Sequence, residues 1–213
     1  MGVMGCAKDV RVWTMVVGDY LPELCEVTVP TIEAYADRIG ADFRTITERR
    51  HPDWPMTYEK VQLYSESRDG WTIFIDADTV VGEKMPDVTR HVPPGHVAFH
   101  MAYDAGKILP HDYWLMQDGR NVGVGTSFMA FQHGQRCLLE PFKEPFSTVQ
   151  RRMLTAGTRL HIADEYCASR NLARHGLDFI GISQISSDFL HLDATTDGHE
   201  EALARAASWL DGQ

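Results

Sequence analysis

Cysteine is scarce in this 213-residue chain. The four, Cys6, Cys25, Cys137 and Cys167, are far apart and form no CxxC pair. A chain of this length builds a core without staples, so the thiols are expected to be reduced, in a cytoplasmic setting. Positive charge is also short: Lys plus Arg number 20 against 30 Asp plus Glu, a formal net charge of −10. Such a surface repels polyanions and disfavours general nucleic-acid or acidic-lipid binding. No apolar run approaches the roughly 18 residues of a membrane span, and Met1 to Arg11 lacks the apolar stretch of a secretory signal, so no stable membrane insertion is expected. Gly 17 and Pro 10 are ordinary usage and argue against fibrous or low-complexity classes. There is no P-loop, because no GKS or GKT follows a glycine-rich turn, and no GxGxxG opens a helix.

What remains is a globular chain, 44% hydrophobic and 10% aromatic, with the composition of one α/β domain. Val10 to Val17 is short, apolar and β-branched and stops at Gly18-Asp19-Tyr20, as a buried strand ending in a polar loop does. Ile32, Tyr35, Ala36 and Ile39 then recur at helical spacing after Pro30, with Gly40 as C-cap and an extended piece from Asp42 to Thr47. After a loop from Arg49 to Pro55, Thr57 is placed to cap a helix reaching about Arg68. Trp71 to Ile75 is an unbroken apolar run, as expected of a central parallel strand covered on both faces. Further on the pattern predicts a Pro-rich loop from Glu83 to Gly95 and a strand His96 to His100. A long polar and aromatic segment runs from Ala102 to Arg120, followed by a strand Ser127 to Phe131. Helices are expected near Phe146 to Leu154 and Ala163 to Arg174, an extended piece from Leu177 to Ile182, and an amphipathic helix from His199 to Leu210.

The chemistry concentrates where the apolar run ends, at Asp76-Ala77-Asp78. If the strand continues, its alternation sends both carboxylates to one side, outside the carboxyl end of the sheet, where open α/β folds bind ligands. Two like charges held together call for a cation. Mg²⁺ or Mn²⁺, with a preference for oxygen ligands and open positions for water and phosphate, is the natural partner.

Two enzyme classes end a strand in this way. Trp71 to Val81 (WTIFIDADTVV) resembles the metal-binding DxD segment of nucleotide-sugar glycosyltransferases of the GT-A fold, in particular the family-eight type that includes glycogenin and bacterial galactosyltransferases. It also fits the first motif of haloacid dehalogenase phosphohydrolases, in which Asp76 would be the nucleophile. The triplet does not choose between them. Its place does: two strand and helix units precede it, the order of a GT-A nucleotide-binding half, whereas the phosphohydrolase motif normally opens the chain. A non-catalytic nucleotide-sugar-binding relative is the third alternative.

The GT-A resemblance implies a Rossmann-type mixed sheet flanked by helices in a single domain over 1–213. Residues 10–81 would form the nucleotide half and 95–192 the donor-sugar and acceptor half, with a terminal helix at 199–211. It implies a UDP-sugar donor, a Mn²⁺ or Mg²⁺ cofactor and a hydroxyl acceptor: a glycan, a lipid-linked sugar, a protein or a modified nucleobase. Asp19 and Tyr20 resemble the family's carboxylate and ring for base and ribose, and Lys60 in TYEKVQLY its basic residue facing the donor. An exposed helical lysine and a simple loop are the ordinary readings of those residues. Ala163-Asp164-Glu165-Tyr166 with Asn171 resembles the family's DQD…N helix, whose first acid holds the donor sugar and whose second position lies beside the reacting carbon. Here Glu165 replaces glutamine and Tyr166 an aspartate, which leaves retention or inversion open; acids at a helix start also answer its dipole. Phe189-Leu190-His191-Leu192 resembles the strand carrying a third metal ligand, His191, with His199 as competitor. Asn121 and Gly123 resemble the family's NxG turn, unless Gly125 to Ser127 has taken that place. Tyr113 and Trp114 in the long segment would cover the acceptor.

Overall fold

The computed structural model describes residues 9–104, 122–194 and 198–212. β1 (Val10–Met15), α1 (Pro22–Ile39) and β2 (Asp42–Ile46) form the expected strand, helix, strand unit, with β1 and β2 parallel. Gly40 ends α1 at φ 68°, a left-handed conformation suited to glycine, and the amides of Gly40 and Ala41 close the last turn on Asp37 and Ala36 carbonyls. The helix starts earlier than Pro30 suggests. Pro22 occupies the first turn, where a missing N–H costs nothing, and the helix runs through Pro30 because Leu24, Thr28, Ile32, Tyr35 and Ala36 bury one continuous face.

β3 (Trp71–Ile75) is buried at every residue and lies parallel to β1, as its apolar run predicts. On its other side is β6 (Val122–Gln132), antiparallel to it and longer than the expected strand; β5 (His96–Asp104) and β7 (Asp178–Gly181) complete the order β2-β1-β3-β6-β5-β7. The sheet is thus mixed. Ile32 and Tyr35 of α1 pack on one face against Val12, Ile73 and Phe128. On the other face Phe74, Phe99 and Phe131 meet Leu63 of the single turn α2 (Leu63–Glu66) and Leu172 of α4 (Ala163–Arg174). Each fully buried side chain of this size contributes about 1.5–3 kcal/mol, so β3 is a well-anchored support for the acidic turn at its carboxyl end.

Before α2 the chain forms a 3₁₀ segment, Met56–Gln62, rather than the expected α-helix, and Thr57 does not cap it: its hydroxyl donates to the His161 carbonyl. Buried Glu59 accepts from the Arg50 and His51 amides and Gln62 Nε2, and Tyr58 stacks on Trp54 at 3.8 Å while its hydroxyl accepts from the Phe142 amide. These contacts hold the tighter turn. A short 3₁₀ turn, Val88–Arg90, interrupts the Pro-rich loop, and another, Ile182–Gln184, ends the extended piece at β7. α3 (Phe146–Thr155) and α4 lie where periodicity puts them, as does α5 (His199–Asp211), whose Ala202 and Ala206 pack with Leu24 of α1. Among the described residues no helix is long and apolar enough to cross a membrane.

Candidate active site

β3 stops at Ile75, so Asp76-Ala77-Asp78 is a turn and not more strand. The Asp76 amide donates to the Ser127 carbonyl of β6, the Thr79 amide closes the turn on the Asp76 carbonyl, and the Thr28 hydroxyl of α1 donates to the Ala77 carbonyl. The convergence expected from strand alternation is therefore achieved by a turn tied down on three sides. β4 (Thr79–Val81) then pairs antiparallel with β8 (Phe189–His191), setting Thr79 opposite His191, and the Leu192 amide donates to the Asp78 carbonyl. This small second sheet carries a distant histidine to the acid turn.

One ligand atom each of Asp76, Asp78 and His191 lies within 4.8 Å of the others, and His191 Nε2 is 3.5 Å from Asp78 Oδ1. Two carboxylates and an imidazole are a donor set that suits Mn²⁺ or Mg²⁺. His199 lies elsewhere, with Nε2 2.6 Å from Glu23. Burial pushes the Asp76 carboxyl up to about 6; Lys60 draws it down and the Asp78 charge pushes it up again. Burial also opposes ionisation of Asp78, but the hydrogen bond and charge of His191, then Lys60, hold its carboxyl below the usual range. His191 is correspondingly raised: burial works against its protonation and Asp78 outweighs it. Of the two acids, Asp78 has no permanent counter-charge in contact with it among the described residues, and a divalent cation would provide one.

Lys60 is not an exposed helical lysine. Its side chain is 3% exposed, with Nζ 2.9 Å from each Asp76 oxygen, 2.8 Å from Asp164 Oδ2 and 3.2 Å from Thr126 Oγ1, which itself donates to Asp164 Oδ2 at 2.6 Å. Burial alone would lower its pKa, and the two carboxylates overcome that and raise it. Asp164, at the first turn of α4, is thereby satisfied in the interior beside the acid turn. Its neighbour Glu165 accepts a 2.8 Å hydrogen bond from the Tyr103 hydroxyl. Burial, with the Asp164 charge adding to it, pushes the Glu165 carboxyl up to about 7, against the Tyr103 bond and Lys60.

These groups line a cleft of about 550 Å³ at the carboxyl ends of β1 and β3, together with Tyr20, His100, Gly125 and Ser127. Tyr20 donates its hydroxyl to Asp78 Oδ2 at 3.2 Å, so it braces the acid turn. Asp19 is exposed and lines an adjoining depression with Gly18, Leu21 and Arg49. Gly123 faces Tyr103: a Cβ there would fall 2.0 Å from the ring, so the glycine makes room for the ring that holds Glu165. Asn121, Tyr113 and Trp114 lie outside the described residues. Asn171 points into the fold and donates to the Leu138 and Glu140 carbonyls, and the Tyr166 hydroxyl accepts from Arg152, so neither enters the cleft.

Sequence reasoning missed three participants. Thr126 links Lys60 to Asp164. Tyr103 belongs to β5 and not to the acceptor-covering loop. His100 packs edge-on against His191 with ring centroids 5.5 Å apart and sets Nδ1 2.6 Å from Ser127 Oγ; burial, then the His191 charge, lowers it to about 4, so it is neutral at physiological pH. The available signal was a histidine directly after the unbroken apolar run Val97-Ala98-Phe99, at the end of the expected strand.

No family model matches this sequence, and no curated protein matches it. Among solved structures the chain is similar to a glycosyltransferase involved in glycosylation of the major capsid of PBCV-1, at 10% identity and a TM-score of 0.52 over 94% of this chain and 99% of that one. It is equally similar to the galactosyltransferase LgtC in complex with donor and acceptor sugar analogs, at 12% identity and a TM-score of 0.52 over 93% and 95%. Mixed sheet, flanking helices and the acid turn after β3 together make this a single-domain α/β fold of the GT-A glycosyltransferase type.

Proposed function

We propose that the protein is a divalent-cation-dependent glycosyltransferase of the family-eight type, moving a sugar from a nucleoside diphosphate donor, a UDP-sugar, to a hydroxyl acceptor. The observation that carries this reading is the convergence of Asp76, Asp78 and His191 at one wall of a cleft whose floor presents Asp164 and Glu165. Departure of the diphosphate is the difficult step. A Mn²⁺ or Mg²⁺ ion held by Asp76, Asp78 and His191 supplies charge neutralisation to that leaving group, an effect worth several kcal/mol in metal-assisted catalysis.

The chain's own groups do the rest. Asp164 orients the donor sugar's hydroxyls with the carboxylate oxygen not engaged by Lys60 and Thr126. Glu165, fixed through Oε2 by Tyr103, presents its other oxygen over Gly125, with Oε1 3.8 Å from where a Cβ on that glycine would sit. A carboxyl near 7 exchanges protons at working pH, so Glu165 is suited to take the acceptor hydroxyl proton or to stabilise positive charge at the anomeric carbon. Asp19 and Tyr20 border the place for the nucleotide base and ribose. In this reading residues 10–81 are the nucleotide half and 95–192 the sugar and acceptor half. The acceptor is a glycan, a lipid-linked sugar, a protein or a modified nucleobase.

Thermal-shift screening of nucleoside diphosphates and their sugars, with and without Mn²⁺, tests the assignment. UDP or a UDP-sugar is expected to raise the melting temperature only with Mn²⁺ and only when Asp78 is intact, and the stabilising donor should be hydrolysed slowly without acceptor. If every nucleotide leaves wild type unmoved in Mn²⁺, the transferase reading fails. Hydrolysis of p-nitrophenyl phosphate abolished by Asp76→Asn would favour the phosphohydrolase instead, and UDP binding without turnover of any donor the non-catalytic relative.

A further inference from the structure

An ammonium group has three protons, and at Lys60 all of them have acceptors: both oxygens of Asp76 at 2.9 Å, Asp164 Oδ2 at 2.8 Å and Thr126 Oγ1 at 3.2 Å. Nζ also lies 5.2 Å from the centroid of the Phe74 ring, and the side chain is only 3% exposed at the edge of the cleft. The positive charge is therefore fixed next to Asp76, one of the three groups converging on the cation position. Asp78, by contrast, has no lysine or arginine against it among the described residues: its neighbours are the Tyr20 hydroxyl, the Ala194 amide at 3.4 Å and His191 Nε2 at 3.5 Å.

We propose that Lys60 is an internal competitor for the divalent cation, shared between Asp76 and Asp164 so that the hold of Asp164 on the ammonium sets how tightly the Asp76, Asp78 and His191 triad takes its ion. The proposal rests on reading that triad as a cation site. A cation entering the triad meets a like charge across Asp76, which lowers its affinity for the protein alone. When Asp76 turns toward the cation, Asp164 retains the ammonium, so the lysine is neither stranded nor expelled. A donor whose diphosphate brings negative charge relieves the repulsion, which makes cation and donor binding mutually reinforcing. Lys60 acts through Asp76 and is a positioning residue, not one that touches the reacting atoms.

The consequence is a pair of opposite effects that loss of structure does not produce. Mn²⁺ is titrated calorimetrically at pH 7.5 without nucleotide into wild type, Lys60→Met, Asp164→Asn and the double variant, each with its melting temperature recorded. Removing the ammonium is expected to tighten Mn²⁺ binding about tenfold, a size set by the loss of one like charge a few ångströms away. Asp164→Asn, which contacts none of the three cation ligands, should weaken binding about threefold or more by leaving Asp76 as the one counter-charge on Lys60 among the described residues. Lys60→Met strands a buried Asp164 and risks unfolding; the double variant removes both charges and should bind at least as tightly as Lys60→Met. Binding no tighter than wild type in the double variant, or no weaker in Asp164→Asn, overturns the proposal. If wild type takes up Mn²⁺ and the variants simply match it, only the Lys60 coupling is lost; if wild type takes up none, the cation reading of the triad falls with it.

Discussion

Two acidic clusters share the cleft and differ in what neutralises them. Asp164 is 2% exposed and its charge is neutralised from within the fold: Lys60 and Thr126 hold its Oδ2. Asp78 is nearly as buried, at 5%, but its neighbours are a phenol, a backbone amide and a histidine, none carrying a permanent charge. A carboxylate that the chain has already paired with a lysine serves as a fixed support, whereas one whose neighbours carry no permanent charge has room for an external cation. Asp76 stands between the two clusters, paired with Lys60 yet within reach of Asp78 and His191. The contrast separates residues whose loss should be felt in folding from those whose loss should be felt in binding.

The strongest way to break this contrast is to open the closed cluster. Asp164→Ala leaves Thr126 without its acceptor and Lys60 half-paired, and should destabilise the protein by about 3–5 kcal/mol in urea unfolding. A loss below about 1 kcal/mol would mean that the cluster is not a support. Asp78→Asn attacks the open cluster. It should weaken Mn²⁺ binding by about a hundredfold or more while the urea midpoint hardly moves. The reverse pattern, intact Mn²⁺ affinity with a large stability loss, would exchange the roles of the two clusters.

Glu165 sharpens the comparison, since it borders both. Its carboxyl is raised from 4.5 to about 7 in the folded protein. Between those values the folded chain holds a proton that the unfolded chain has released, so stability falls as pH rises through the window and levels off above it. Glu165→Gln lacks that slope and should exceed wild type in unfolding free energy by roughly 3 kcal/mol at pH 8, with the gap closing below about pH 4.5. A gap independent of pH would show that Glu165 does not titrate there. Tyr103→Phe is the mildest change: loss of one hydrogen bond should cost about 1 kcal/mol and move the Glu165 titration upward, visible as a shift of the pH–stability midpoint.

What could be read from the sequence depends on the range of the forces involved. β3 and the acid turn were legible because an apolar run followed by charge reports burial and its end locally. α4 and α5 were legible from their period. The extension of β6 to Val122 was not, because its glycine-rich start reads as a turn until Tyr103 is seen to need Gly123. The 3₁₀ form of Met56–Gln62 depends on Trp54, Phe142 and buried Glu59, none of which a helical period reports. His191 could be named as a ligand candidate only through resemblance, and it is the β4–β8 pairing that brings it to Asp78. Lys60 was found for the right neighbourhood and the wrong environment: its partners Thr126 and Asp164 come from distant elements, and a pairing across the fold leaves no local pattern.

Crystals grown with Mn²⁺ and UDP, measured at the manganese absorption edge, put the question most directly. The expected anomalous map has one peak in the cleft, about 2.0–2.3 Å from oxygens of Asp76 and Asp78 and from a nitrogen of His191, with the diphosphate completing its coordination. A cleft without that peak under saturating Mn²⁺ and UDP, or a manganese ion bound away from all three side chains, would contradict it.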